Sequence, residues 1–195
     1  YLANDVGIDV ATQIEEKKDD FPGVEIEVDP LRVYPYGAAG AQVLGYVGEA
    51  GPDDRDANGN PYTTATLVGR SGLERQYNQF LEGKNGSKTV EVNASGQPVR
   101  YVGGTASVSG NNVRLTLDAH LQQAAEAAIE KQTRVLAHSG VFPTGASAVA
   151  IDPNTGAVLA MVSWPSYDPN RFSKGISSKD WNDIINNKNH PMQNR

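Results

Sequence analysis

The chain has 195 residues, enough for one ordinary domain or two small ones. Its 17 basic and 23 acidic residues leave a formal charge of −6, spread along the chain, which argues against a nucleic-acid footprint and a polybasic membrane patch. It has no cysteine, so disulfide frameworks and thiolate chemistry are excluded, and no apolar run long enough for a signal core or a membrane span, so any anchor is expected upstream of Tyr1.

Residues 4–20 carry Val6, Val10 and Ile14 at helical spacing, with Asn4 or Asp5 as the expected cap and a solvated charged run at the end. Phe21-Pro22-Gly23 breaks that helix. Val24–Val28 alternates apolar and acidic residues, which predicts a half-buried strand. Asp29-Pro30 turns the chain into Arg32-x-Tyr34-Pro35-x-Gly37, and Ala38–Val47 is expected to pack as a helix against the strand. An arginine two residues before Tyr-Pro offers a planar fork to a carboxylate, so a structural pairing role is expected for it.

Gly51–Tyr62 is acidic and turn-rich. Asp54, Asp56 and Asn58, followed by Gly59, match the first half of a calcium loop, but the twelfth position is Ala65 instead of a bidentate Glu. A complete EF-hand is excluded. What remains is a weak metal candidate at Asp54, Asp56 and Asn58, or a solvated loop turned by Asn58-Gly59. Ser71 and Glu74 stand as Ser-x-x-Glu, which predicts a capping box at the start of a helix carrying Leu73, Tyr77, Phe80 and Leu81 and stopped by Gly83. On that reading Glu74→Ala costs about 1 kcal/mol.

A hairpin is expected over Lys88–Val92 and Pro98–Val102, then a Gly/Ser/Asn linker over Gly103–Asn112, which sets a domain boundary near residue 110. Val113–Leu117 reads as a strand feeding a helix capped by Asp118, with Leu121, Ala124, Ala125, Ala128, Ile129, Val135 and Leu136 on one stripe and Gly140 as its stop. Ala146–Ile151 and Ala157–Val162 flank Asp152-Pro-Asn-Thr-Gly156, the composition of a hairpin turn. Small and large residues alternate along each run, so both faces should be covered, the small one by the preceding helix. A short helix near Lys179–Asn187 follows. Too few strands remain for that cover, so the chain is expected to be cut from a longer one.

No serine acyl-transfer set is present. No serine has lysine three residues on, no Lys-Thr-Gly occurs, and Ser109-Gly-Asn111 is a chance match in a linker. His120, His138 and His190 lack metal-ligand spacing, and Asp152 and Asp168 precede proline in turns.

Gly145–Met161 with Pro165-Ser-Tyr-Asp-Pro-Asn170 resembles the opening of the penicillin-binding module of class B penicillin-binding proteins. Arg32-x-Tyr34-Pro35-x-Gly37, Gly69-x-x-Gly72-x-Glu74 and Asp118-x-x-x-Gln122 are similar to motifs of that family's pedestal and of its joint with the catalytic module. Met192-Gln-Asn-Arg195 resembles the stretch shortly before its Ser-x-x-Lys, in the elongation-type branch called penicillin-binding protein 2. The resemblance implies an α+β fold, with a pedestal or dimerisation module at 1–110 and a transpeptidase portion at 111–195 that stops short of the nucleophile. It implies no cofactor. It also implies structural or interdomain roles for Arg32, Tyr34, Pro35, Gly37, Gly69, Gly72, Glu74, Asp118 and Gln122. For the longer protein it implies a D,D-transpeptidase at the extracytoplasmic face of the bacterial membrane. Such an enzyme acts on peptidoglycan stem peptides, is trapped by β-lactams, and works beside a SEDS-family glycosyltransferase and other elongation-complex proteins, with a homodimer as a further option. The competing reading is a stand-alone extracytoplasmic protein-binding module, and a third is a calcium-tuned scaffold resting only on the Asp54 loop.

Overall fold

The computed structural model describes all residues except 1, 4–5, 27–30, 57, 63–65 and 95–97. In chain order its elements are α1 (Ile8–Glu16), α2 (Ala41–Leu44), β1 (Val47–Glu49), β2 (Leu67–Gly69), α3 (Gly72–Gln76), α4 (Asn78–Leu81), β3 (Ser87–Val92) and β4 (Pro98–Thr105). They continue as α5 (Ala119–His138), β5 (Ala146–Ile151), β6 (Val158–Trp164), α6 (Asn170–Ser173) and α7 (Ser178–Ile185). The fold is α+β, with three antiparallel pairs, β1–β2, β3–β4 and β5–β6. Two compact units form: Tyr1–Leu31 with Gly83–Gly110, and Arg32–Glu82 with Asn111–Arg195.

In the first unit, α1 begins at Ile8 after Gly7, which offers no side-chain cap, and the caps expected at Asn4 or Asp5 lie outside the described residues. The helix buries none of its residues, as suits a solvated surface helix. The strand expected over Val24–Val28 is absent at Val24–Ile26, while 27–30 lie outside the described residues. Alternation supplies a face to a strand but not the ladder partner that its N–H and C=O groups need.

The β3–β4 hairpin forms in the expected place but runs on to Thr105, and Lys84 bridges Val108. The first three residues of the expected linker are therefore strand. Glu91 and Arg100 pair across it at 2.6 Å, and Lys88 lies 5.7 Å from the centre of the Tyr101 ring.

In the second unit, α5 is capped as expected. The Asp118 carboxylate accepts the Leu121 N–H at 2.9 Å, and a Schellman stop closes the far end through Gly140 N–H to Ala137 O and Val141 N–H to Leu136 O. The stripe is turned from the one expected. Leu121 and Val135 are exposed, and Gln122 and Thr133 are buried instead. Val113–Leu117 does not form the expected strand: Thr116 Oγ1 donates to Val158 O, and the Asp118 N–H to Leu159 O, beside β6.

The hairpin β5–β6 pairs Ala148 with Val162 and Ala150 with Ala160, and α5 packs on β6. Ala160 and Val162 are each only 1% exposed, whereas Val149 and Ile151 on the opposite face are 51% and 55% exposed. Among the described residues nothing supplies the expected second cover.

The helix expected over Ala38–Val47 shrinks to α2, because a turn occupies Pro35–Gly40 and Val47 begins β1. Its Ala41 joins Tyr167, Phe172 and Ile184 in the core, with Tyr46, Ile176 and Met192 packed around them. Tyr46 lies on Phe172 with ring centres 4.0 Å apart, and Tyr167 and Trp181 meet Phe172 edge-on.

Candidate functional site

Arg32 and Glu74, both singled out from sequence, meet at Tyr34, which is 7% exposed. Arg32 Nε donates to Glu74 Oε1 at 2.6 Å, and the Tyr34 hydroxyl donates to the same oxygen at 3.3 Å. Glu74 is buried while the Arg32 side chain is 46% exposed, so water shields one end of the pair only. Burial first, and then the Glu74 charge, drive the Tyr34 phenol far above its ordinary range, with Arg32 opposing. The phenol is thereby held as a neutral donor.

This arrangement corrects the capping box. Ser71 is the residue before α3, but its side chain makes no bond to the helix backbone. Glu74 turns to Arg32 because α3 is only five residues long, and a charge-assisted bond at a buried carboxylate outweighs a cap on so short a helix. The apolar helix is also divided, with Tyr77 separating α3 from α4 and Phe80 58% exposed.

Gly69 and Gly72 mark places where two main-chain segments touch, whereas Gly37 has open space beside it. A Cβ on Gly72 (φ +56°) would stand 2.5 Å from Val43 O and 2.6 Å from Gly45 N, and one on Gly69 would stand 2.0 Å from Glu74 O. Neither position has room for a side chain. Pro35 opens the turn closed by Gly37 N–H to Tyr34 O at 3.0 Å.

Gln122 is buried and fully satisfied. Its amide donates to Met161 O at 2.9 Å and to Glu126 Oε1 at 2.7 Å, and accepts the Met161 N–H at 2.8 Å. The same Glu126 oxygen accepts the Gly40 N–H at 2.8 Å, which ties the Tyr34–Gly40 turn to α5 and β6. Asp118, at the start of α5, is held below the usual carboxylate range by the Leu121 N–H.

Four further side chains complete the joint: Ser166, Tyr167 and Asn170 belong to the stretch that carries the family resemblance but had no role assigned from sequence, and Gln42 was not singled out. Asn170 Oδ1 accepts the Tyr34 N–H at 2.8 Å, and its Nδ2 donates to Tyr34 O at 2.9 Å. Gln42 donates to Pro165 O and Pro191 O at 3.1 and 2.8 Å, Ser166 to Ala38 O at 2.9 Å, and Tyr167 to Ala41 O at 3.1 Å. Their partners are main-chain groups far away in sequence, so no local pattern marks them. Each of these donors meets an acceptor. Such a cluster holds segments in register.

The Asp54 loop stands apart. Asp54 accepts the Gly51 N–H and pairs with Arg70 at 2.8 Å, while Asp56 accepts the Asn58 and Asn60 N–H groups at 2.8 Å each. Those bonds hold both carboxyls below their ordinary range. Among the described residues no group of three or more His, Cys, Asp or Glu could hold a metal ion, and Ala65 lies outside them. His138 Nδ1 lies 2.7 Å from Arg134 O at the end of α5.

Residues 1–115 match the penicillin-binding protein dimerisation domain, and residues 146–195 match the penicillin-binding protein transpeptidase domain. The chain belongs to the penicillin-binding protein family. It is 41% identical over 180 residues to the peptidoglycan D,D-transpeptidase MrdA of Escherichia coli, covering 90% of this chain and 26% of that protein. The chain thus spans about a quarter of the length of the curated relatives it matches.

Among solved structures, it resembles penicillin-binding protein PBP2 from Helicobacter pylori in complex with MreC, with a TM-score of 0.72 and 29% identity over 97% of this chain and 33% of that one. It also resembles a chain of a peptidoglycan synthase complex that coordinates polymerisation and crosslinking, with a TM-score of 0.70 and 32% identity over 97% of this chain and 33% of that one. Gln122 lies on α5, between the two matched stretches. Tyr34 lies in the first and Asn170 in the second, so the hydrogen bonds between them join two family domains.

Proposed function

We propose that this chain is the non-catalytic pedestal part of a peptidoglycan D,D-transpeptidase, joined to the opening of its transpeptidase domain, with the pedestal at 1–110 and the transpeptidase portion at 111–195. The observation that carries this reading is the joint at Tyr34. Asn170, Ser166 and Tyr167, all within the transpeptidase match, hydrogen-bond the main chain of Tyr34, Ala38 and Ala41 in the dimerisation match.

On this reading Arg32, Tyr34, Pro35, Gly37, Gly69, Gly72, Glu74, Asp118 and Gln122 position the catalytic domain and touch no substrate. The chemistry belongs to a serine in a Ser-x-x-Lys motif, which this sequence does not contain. That serine attacks the D-Ala-D-Ala amide of a stem peptide and expels D-alanine. The resulting ester is then passed to the amine of a second stem peptide, which frees the serine. A β-lactam traps the same serine.

The similarity to MrdA and to PBP2 supports a place in cell-wall elongation at the extracytoplasmic face of the membrane, beside a SEDS-family glycosyltransferase and other elongation-complex proteins. Among the described residues no helix is long and apolar enough to cross a membrane. Sequencing the gene beyond the codon for Arg195 tests the reading. A frame that soon reaches Ser-x-x-Lys supports it, and a stop codon there would leave a binding module without chemistry.

A further inference from the structure

We infer that Asn170 is a positioning residue, a side-chain latch that holds the segment after β6 to the main chain of Tyr34. Its amide takes both polar groups of one residue, as a neighbouring strand would: Oδ1 accepts the Tyr34 N–H at 2.8 Å and Nδ2 donates to Tyr34 O at 2.9 Å. The orientation of the amide is enforced. The second Nδ2 hydrogen is directed at Asp168 Oδ1, 2.9 Å away, and the same oxygen accepts the Asn170 N–H at 3.0 Å. A flipped amide would set oxygen against the Asp168 carboxylate and the Tyr34 carbonyl, and nitrogen against the Tyr34 N–H.

Tyr34 is the fitting target for such a latch. Its phenol is already held by Glu74, which in turn holds Arg32, so the main chain that Asn170 grips is fixed from its other side. Gln122 repeats the device on Met161, taking both main-chain groups of that residue from α5. Asn170 differs in joining the two family matches directly.

Aspartate separates this role from an ordinary turn. Asn170 opens the four-residue helix α6, and at a helix start aspartate serves as well as asparagine. In the latch it fails, because it lacks both N–H donors and points a carboxylate at the Tyr34 carbonyl and at Asp168. The inference rests on the pedestal reading only for what the two joined segments are.

The test is amide hydrogen exchange of the full-length protein, comparing wild type with Asn170→Ala, Asn170→Asp and Asp168→Ala. The Tyr34 amide is expected to exchange at least about tenfold faster in both Asn170 variants. The Arg70 amide, bonded to Tyr46 O at 2.8 Å, should keep its rate. An aspartate variant that protects Tyr34 as wild type does would overturn the latch. If both Asn170 variants lose protection everywhere, Asp168→Ala decides, because it keeps the amide and removes the carboxylate that orients it and accepts the Asn170 N–H. Faster Tyr34 exchange in that variant supports the latch, and an unchanged rate overturns it. Labelling of the wild-type protein by a fluorescent penicillin is read separately: its absence would sink the pedestal reading and leave the Tyr34 result standing.

Discussion

Removing the Glu74 carboxylate separates a local role for this residue from a long-range one. If Glu74 only capped α3, Glu74→Ala would cost about 1 kcal/mol. In the structure it accepts a charge-assisted bond from Arg32 at 2.6 Å and a weaker one from the buried Tyr34 hydroxyl at 3.3 Å. A bond to a charged group contributes about 1.5–3 kcal/mol, and a buried hydroxyl left without an acceptor adds about 1 kcal/mol or more. Arg32 is half in water and regains hydration, which discounts the first figure. The balance is about 3 kcal/mol, or a melting shift of roughly 6–12 °C for a chain of this size.

Glu74→Gln keeps an acceptor for Tyr34 and should lose about half as much. Urea unfolding of wild type, Glu74→Ala, Tyr34→Phe and the double variant measures both the cost and its origin. Tyr34→Phe should destabilise the wild type but recover about 1 kcal/mol once Glu74 is gone, because the orphaned hydroxyl goes with it. A cost near 1 kcal/mol with additive variants would refute the cluster and restore the simple cap.

Gln122→Ala should cost about 2–3 kcal/mol, because the buried Met161 N–H and C=O both lose their partner; a urea midpoint within error of wild type would count against the joint. Gly72→Ala combines a left-handed φ of +56° with a Cβ 2.5 Å from Val43 O, so expression of folded protein should collapse, as read by circular dichroism. Asp118, Asp152, Asp54 and Asp56 all have depressed carboxyl values in the folded chain. The stability they contribute is complete above the ordinary carboxylate range of about 4 and drains away as pH falls through their lowered values. The urea midpoint should therefore fall on the acid side, and Asp118→Asn, which still caps, should shallow that fall.

The parts legible in the sequence were those decided by near neighbours. Asp118 caps α5 from three residues away, and Asp152-Pro-Asn-Thr-Gly156 turns β5 into β6, with Gly156 at φ +73°. Both depend on short-range chemistry that composition displays. Glu74 misled because Ser-x-x-Glu is a true local signature, and it was overridden by an arginine 42 residues upstream. The turned face of α5 has the same cause. Helical periodicity counts Gln122 and Thr133 as polar, yet Gln122 is buried where Met161 satisfies its amide and Thr133 where the Glu130 carbonyl accepts its hydroxyl. The role of Asn170, quoted only as the end of the Pro165–Asn170 stretch, was not legible for a further reason. Its partner is a main-chain group 136 residues away, and main chain carries no residue identity to read.

The most direct measurement is acylation of the full-length protein by a fluorescent penicillin, set beside the same assay on residues 1–195 alone. A pedestal joined to a serine transpeptidase predicts covalent, saturable labelling of the full-length protein and none of the 195-residue chain, which lacks Ser-x-x-Lys. A full-length protein that never acquires label would contradict the assignment and leave the Tyr34 joint as the frame of a binding module.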